Sequence, residues 1–187
     1  GQSAEAEYAI EHPLIGSQVL KADSKRALDL YYESVRCRQD GNMQRAMVLY
    51  QEATSMDPSL HEHAYEALSG LAGNCSAKDA GAIYYWLGIH AEHLSDWQQA
   101  ADWYEKAILA FSQLGYRNRE SRVHCNLGKV KMRMNDPSGL TEYEKAIALN
   151  PRDGTAHLSI ARMYYATSYE GSERFERALD AFADAIL

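Results

Sequence analysis

An all-α fold follows from three features of this sequence. Apolar residues recur at three- and four-residue spacing along nearly the whole chain, no segment shows the alternating β-branched pattern of a strand, and turn signals return at short intervals. Those signals are "QDGN" at 39–42, "MDPS" at 56–59, "LSDW" at 94–97, "MNDP" at 134–137 and "NPRD" at 150–153. Short helices joined by tight turns are the expected result.

The elements divide as an N-terminal helical segment at 1–26, helix pairs at about 27–60, 81–120, 121–153 and 154–187, and an unassigned stretch at 61–80. What marks the pairs is a stripe of small and aromatic residues. Ala46, Ala100 and Ala178 are each followed four residues later by a ring (Tyr50, Tyr104, Phe182) and three residues after that by Ala53, Ala107 or Ala185. Seven residues make two helical turns, so each trio lies on one face, where alanines admit a neighbouring helix and the ring fills the gap. Tyr143 and Ala146 repeat the end of the stripe, and "YEKAI" is written twice, 39 residues apart, at the same place on two successive second helices.

With these residues in place the chain resembles a tetratricopeptide repeat (TPR) protein, whose unit of about 34 residues reads W-x2-L-G-x2-Y…A-x3-F…P. The unit from Gly81 supplies Tyr84, Leu87-Gly88, Ala91, Ala100, Tyr104 and Ala107; that from Ser121 supplies Leu127-Gly128, Tyr143, Ala146 and Pro151, with Lys131 and Leu140 departing and a turn one residue short. The unit from Ala27 has Ala46, Tyr50, Ala53 and Pro58 but Glu33-Ser34 for Leu-Gly, and the last has Ile160-Ala161, Tyr164, Ala178, Phe182 and Ala185, lengthened by "TSYEGS". The resemblance implies a right-handed superhelix of antiparallel helix pairs, a single α-α solenoid domain. Between the units at 81 and 121 the Pro is missing and the period grows to 40 residues, which resembles the longer-helix repeats of TPR adaptors and predicts a lengthened helix near 97–114. Residues 61–80 fit no complete unit: one helix at 61–72 with a Gly/Ser turn, or a collapsed repeat without its partner helix.

Composition narrows the function. A net charge of −7 disfavours nucleic acid, whose phosphates need a surplus of Lys and Arg on the contact face. No apolar run reaches the roughly 18–20 residues that span a bilayer, so membrane insertion is not expected. The start lacks a charged-then-apolar leader, and the default location is cytoplasmic, a removed signal peptide being invisible here. Cys37, Cys75 and Cys125 are far apart, form no CxxC pair and read as reduced thiols.

No P-loop, dinucleotide-binding glycine pattern, nucleophile elbow or metal helix is present, so neither an enzyme nor a cofactor is expected. His61/His63 and His90/His93 have metal-like spacing but lack further ligands, and read as surface histidines. His124 beside Cys125 points about 100° away on a helix, which leaves Cys125 as a packing residue.

Arg122, Asn126, Lys129 and Arg133 lie at i, i+4, i+7 and i+11, on one strip of a helix whose other strip, Val123, Leu127, Val130 and Met134, is the expected core. The TPR resemblance places the first strip in a concave groove, continued by Ser159 and Arg162. The same register gives Tyr85, Trp86, Ile89 and His93 one unit earlier, and Tyr31, Tyr32 and Val35 before that, unless the first unit and the 61–80 helix fold over these rings. Tyr31 and Val35 stand where chaperone-tail-binding TPR domains carry Lys and Asn, so that ligand is not expected. The reading is an interaction module that binds a protein or peptide partner in its groove. Its rival is a structural or oligomerising module, since the ending "RFERALDAFADAIL" carries no polar cap: a homodimer through the last helix, or a chain continuing beyond Leu187.

Overall fold

The computed structural model describes residues 22–73, 75–152, 154–166 and 173–184. Most of the N-terminal segment at 1–26, the "TSYEGS" insertion and Ala185–Leu187 lie outside them, as do the side chains of Ala178 and Phe182. The helices are α1 (Ala22–Gln39), α2 (Met43–Met56), α3 (His61–Ser69), α4 (Ala77–His93), α5 (Trp97–Gln113), α6 (Arg117–Arg133), α7 (Gly139–Leu149), α8 (Gly154–Ala166) and α9 (Glu173–Asp184), with a 3-10 turn at Pro58–Leu60 leading into α3. No strand occurs among the described residues.

Four of the turns share one mechanism. Gly41, Ser95, Gly115 and Asn135 take positive φ, and the N–H of the next residue reaches back to the carbonyl of Cys37, Ala91, Phe111 and Lys131 respectively at 2.8–2.9 Å. This is the left-handed C-terminal cap that closes a helix within two residues. At Asn42 and Asp96 that next residue also caps the following helix, accepting from the N–H of Arg45 and Gln99. One helix thus ends and its antiparallel neighbour begins in four residues.

The helices pack in sequential pairs, α1 with α2, α4 with α5, α6 with α7 and α8 with α9, leaving α3 single. In the first three pairs the predicted stripes are the pair contacts: Ala46, Tyr50, Ala53, Ala100, Tyr104, Ala107 and Ala146 are fully buried. Glycine supplies the facing hollow. A Cβ at Gly88 would overlap the Tyr104 ring, one at Gly81 would come 2.7 Å from the Phe111 ring, and one at Gly128 would come 2.9 Å from both the Gly139 carbonyl and the Tyr143 ring. Gly139, four residues before Tyr143, fills the place the repeat pattern gives to alanine, which accounts for the mismatch at Leu140. Lys131, at a pattern tyrosine, instead extends its Nζ to Glu142 at 3.2 Å. The helix expected near 97–114 is α5, 17 residues against 14 for α2 and 11 for α7.

The single helix α3 alters the neighbourhood. Arg38 of α1 donates to the Ala67 carbonyl at 2.7 Å, and Trp103 of α5 donates through Nε1 to the Tyr65 hydroxyl at 3.1 Å. Helices two apart in the chain are therefore neighbours: α1, α3 and α5 on one side, α2, α4 and α6 on the other. One interposed helix shifts the first pair by one place, so that α2 stands beside α4 on the side of Tyr85. Tyr31 and Val35 are 2% and 3% exposed in the core, Tyr31 against Tyr50, which corrects their expected place in the groove. Tyr32 is half-buried beside them.

Candidate functional site

Two cavities of about 320 and 350 Å³ lie end to end between α2, α4 and α6, divided by Tyr85, Trp86 and Arg122, which line both. Their size suits a few side chains of a peptide, within the usual range of ligand pockets. Toward the start of α2 the first cavity has Met47, Val48, Ala82 and Phe111 on its walls, with Lys78, Arg119 and Arg122 around them. The second is more polar, with Gln51, Thr54 and Ser55 facing Ile89, His61 and His93.

The dividing residues are fixed by their neighbours. Tyr85 and Trp86 meet edge to face with ring centroids 5.5 Å apart, and Trp86 leans on His90 at 6.2 Å. Asn126 directs its amide toward the Tyr85 hydroxyl at 3.5 Å. Burial pushes the Tyr85 phenol up, and Arg122 and Asn126 offset part of that, so the hydroxyl is held neutral between two polar partners.

Of the residues predicted from sequence, Tyr85, Trp86, Ile89 and Arg122 line the cavities and Asn126 backs them. Lys129, expected to face the groove, lines neither cavity and pairs with Glu92 of α4, which also accepts from the Tyr104 hydroxyl at 3.2 Å. Arg133 and Arg162 are exposed and line neither cavity, and the Ser159 hydroxyl donates to Thr155 of its own helix at 2.8 Å. Val123, Leu127 and Val130 are buried, but Met134, at the C-cap, is 38% exposed. The α2 wall was missed because the repeat register assigned α2 to the other side; apolar Met47 and Val48, off the Ala46–Tyr50–Ala53 stripe, were the available signal.

The histidines require a second correction. His61 and His90 are buried rather than on the surface, their Nδ1 atoms 2.8 Å apart, and His93 stacks on His61 with centroids 3.9 Å apart. Burial first, and then the neighbouring histidines, lowers His61 to about 4 and His90 to about 3. A buried polar knot that sequence did not show joins α6 to α7: Glu142 accepts from His124 Nδ1 at 2.7 Å and from Lys131 and Lys145 at 3.2 and 3.1 Å. Cys125 is buried and Cys37 and Cys75 are half-buried, and none of the three forms a disulfide. Among the described residues no three His, Cys, Asp or Glu side chains converge as a metal site would require, and no helix is long and apolar enough to cross a membrane.

Paired helices and glycine hollows under aromatic rings define a helical-repeat protein. The chain belongs to the tetratricopeptide repeat family, whose model matches residues 62–114 and 125–187. Modules of this family generally mediate protein–protein interactions and are typically non-enzymatic. The TPR repeat-containing protein MJ1428 of Methanocaldococcus jannaschii is 24% identical over 106 residues, a match covering 55% of this chain and 18% of that protein. Among solved structures, BtubC from P. vanneervenii is similar with a TM-score of 0.64 at 14% identity, over 91% of this chain and 73% of that one. A MamA structure gives 0.50 at 20% identity, over 82% and 92%. These likenesses concern the fold alone.

Proposed function

We propose that this chain is a non-enzymatic interaction module that holds a segment of a partner protein in the groove between α2, α4 and α6. One observation carries the reading: the Tyr85–Trp86 pair and Arg122 stand between two adjoining cavities, so a single extended chain laid along the groove meets all three. Half-buried aromatic rings and arginine are the side chains that most often dominate binding energy, and a repeat scaffold presents them with little reorganisation. Asn126 serves the groove by orienting Tyr85. Arg133 and Arg162 contribute to the field along the same face.

The test is selection of peptides from a random display library on the intact chain, followed by titration of the selected peptides. Trp86→Ala should weaken them by ~2 kcal/mol, the scale of a hot-spot ring. Peptides that bind Trp86→Ala and Arg122→Glu as tightly as the parent would place binding on another surface.

A further inference from the structure

The first cavity has a chemistry that the groove as a whole does not. Its walls bring together Met47 and Phe111, 5% and 2% exposed, with Val48, which is 45% exposed although it is a large apolar residue. Around this apolar floor stand three cations, Lys78, Arg119 and Arg122, and one carboxylate, Asp79. In a chain of net charge −7 that local excess is the reverse of the general surface. The carboxylate is occupied with its own helix: Asp79 Oδ2 accepts from the Ser76 hydroxyl at 2.6 Å while Ser76 caps α4. Among the described residues none of the three cations enters an ion pair, whereas Lys129, Lys131 and Lys145 all do.

Arg119 is held in place as well. Its guanidinium carbon lies 5.3 Å from the Tyr116 ring centroid and 5.8 Å from that of Phe111, so the planar fork rests on aromatic faces. A stacked guanidinium keeps its N–H donors for a ligand and loses little freedom when it binds a carboxylate. The first turn of α6, which carries Arg119 on its third residue, adds the positive end of its dipole and has no side-chain cap.

We infer that this cavity is the specificity pocket of the groove, and that it takes an apolar side chain flanked by a carboxylate, from an acidic segment of a partner protein. The inference rests on the groove reading above and adds the chemistry of the occupant. The apolar side chain covers Val48, Ala82 and Phe111, and the neighbouring Asp or Glu meets Arg119 and Arg122. A purely anionic ligand would leave Val48 uncovered, and a purely apolar one would leave unpaired guanidinium groups at the rim of a filled cavity.

The experiment sequences the peptides that a random display library yields on the intact chain and measures their affinity at low and high salt. Selected peptides should share an Asp or Glu next to, or two residues from, a large apolar residue. Arg119→Glu with Arg122→Glu should weaken them at least tenfold and flatten the salt dependence, and Val48→Asp should weaken them at least tenfold. Arg36→Glu, an equal charge change for one site at an exposed position of α1 that lines neither cavity, should leave affinity within twofold. These are exposed positions, and unchanged circular dichroism confirms folding of each variant.

Peptides without the acidic–apolar pairing that still depend on Trp86 overturn this inference and leave the groove reading standing. Peptides indifferent to Trp86 as well overturn both. Concentration-dependent self-association abolished by Val48→Asp would make a second copy the occupant and also overturns the inference.

Discussion

His61 of α3 and His90 of α4 face each other Nδ1 to Nδ1 at 2.8 Å, so one ring donates its N–H and the other accepts it. The accepting ring must be neutral, because a protonated imidazole has no acceptor nitrogen, and burial favours the neutral form of both. The pair is the polar fastening between the interposed helix and the groove wall, with His93 stacked on one ring and Trp86 against the other.

An acid sensitivity in two windows follows. The folded pKa values of His61 and His90, about 4 and about 3, lie below the ordinary 6.5, so the unfolded chain binds protons first. Stability is then intact above pH 6.5 and falls as pH drops toward 4, each ring steepening the loss by up to about 1.4 kcal/mol per pH unit. Glu142 acts lower. Burial alone would raise it, but hydrogen bonds from His124, Lys145 and Lys131 hold it at about 2, so its contribution is present above 4.5 and disappears as pH falls toward 2. Thermal melts from pH 8 to 2 should show both phases, and His61→Gln with His90→Gln should flatten only the first. A parent Tm that does not change between pH 6.5 and 4 would refute the histidine assignment.

Gly88→Leu should cost on the order of 1–3 kcal/mol or more, because the space above Gly88 is already the Tyr104 ring. Tyr104 is fully buried and cannot swing away, so Gly88→Ala should destabilise as well. Gly128→Ala should do likewise, since its Cβ would press on the Gly139 backbone, which moves only with α7. Denaturant unfolding of the three variants checks this; parent-like midpoints would mean that α4 and α5 do not cross at Gly88.

Lys129 and Arg122 lie on one strip of α6 but should differ in function. Lys129 is half-exposed and tied to Glu92, so Lys129→Ala should change stability by no more than ~1 kcal/mol and leave the affinity for groove peptides within about twofold. Arg122→Ala should weaken the same peptides several-fold, by the removal of a desolvated charge-assisted hydrogen bond worth roughly 1.5–3 kcal/mol. Isothermal titration of both variants with one selected peptide decides the point, and equal losses would restore Lys129 to the groove.

Chelator should leave the Tm unchanged. An ion held only by the native state would raise stability by mass action, so its removal would lower the midpoint. A fall on adding chelator, reversed by one divalent metal, would assign a metal to the His61–His90–His93 knot.

The sequence by itself determined the helix pairs and their seams. The reason is locality: Ala100, Tyr104 and Ala107 share a face through helical periodicity alone, and a glycine such as Gly88 at its fixed place in the preceding helix has one use, to receive that ring. The repeat register that the family resemblance supplied led to Tyr85, Trp86 and Arg122, which line both cavities. What only the tertiary structure decided was which helix covers which face. Periodicity shows that α1 has an apolar side, but whether Tyr31 meets a groove or a core depends on α3, which completes no repeat unit in the sequence and whose insertion exchanges the roles of α1 and α2. The same contact buries His61 and His90, and the approach of α4 to α6 pairs Lys129 with Glu92. In each case the deciding partner is far away in the chain, and the energy that orders it comes from desolvation and pairing across helices, which no spacing along one helix records.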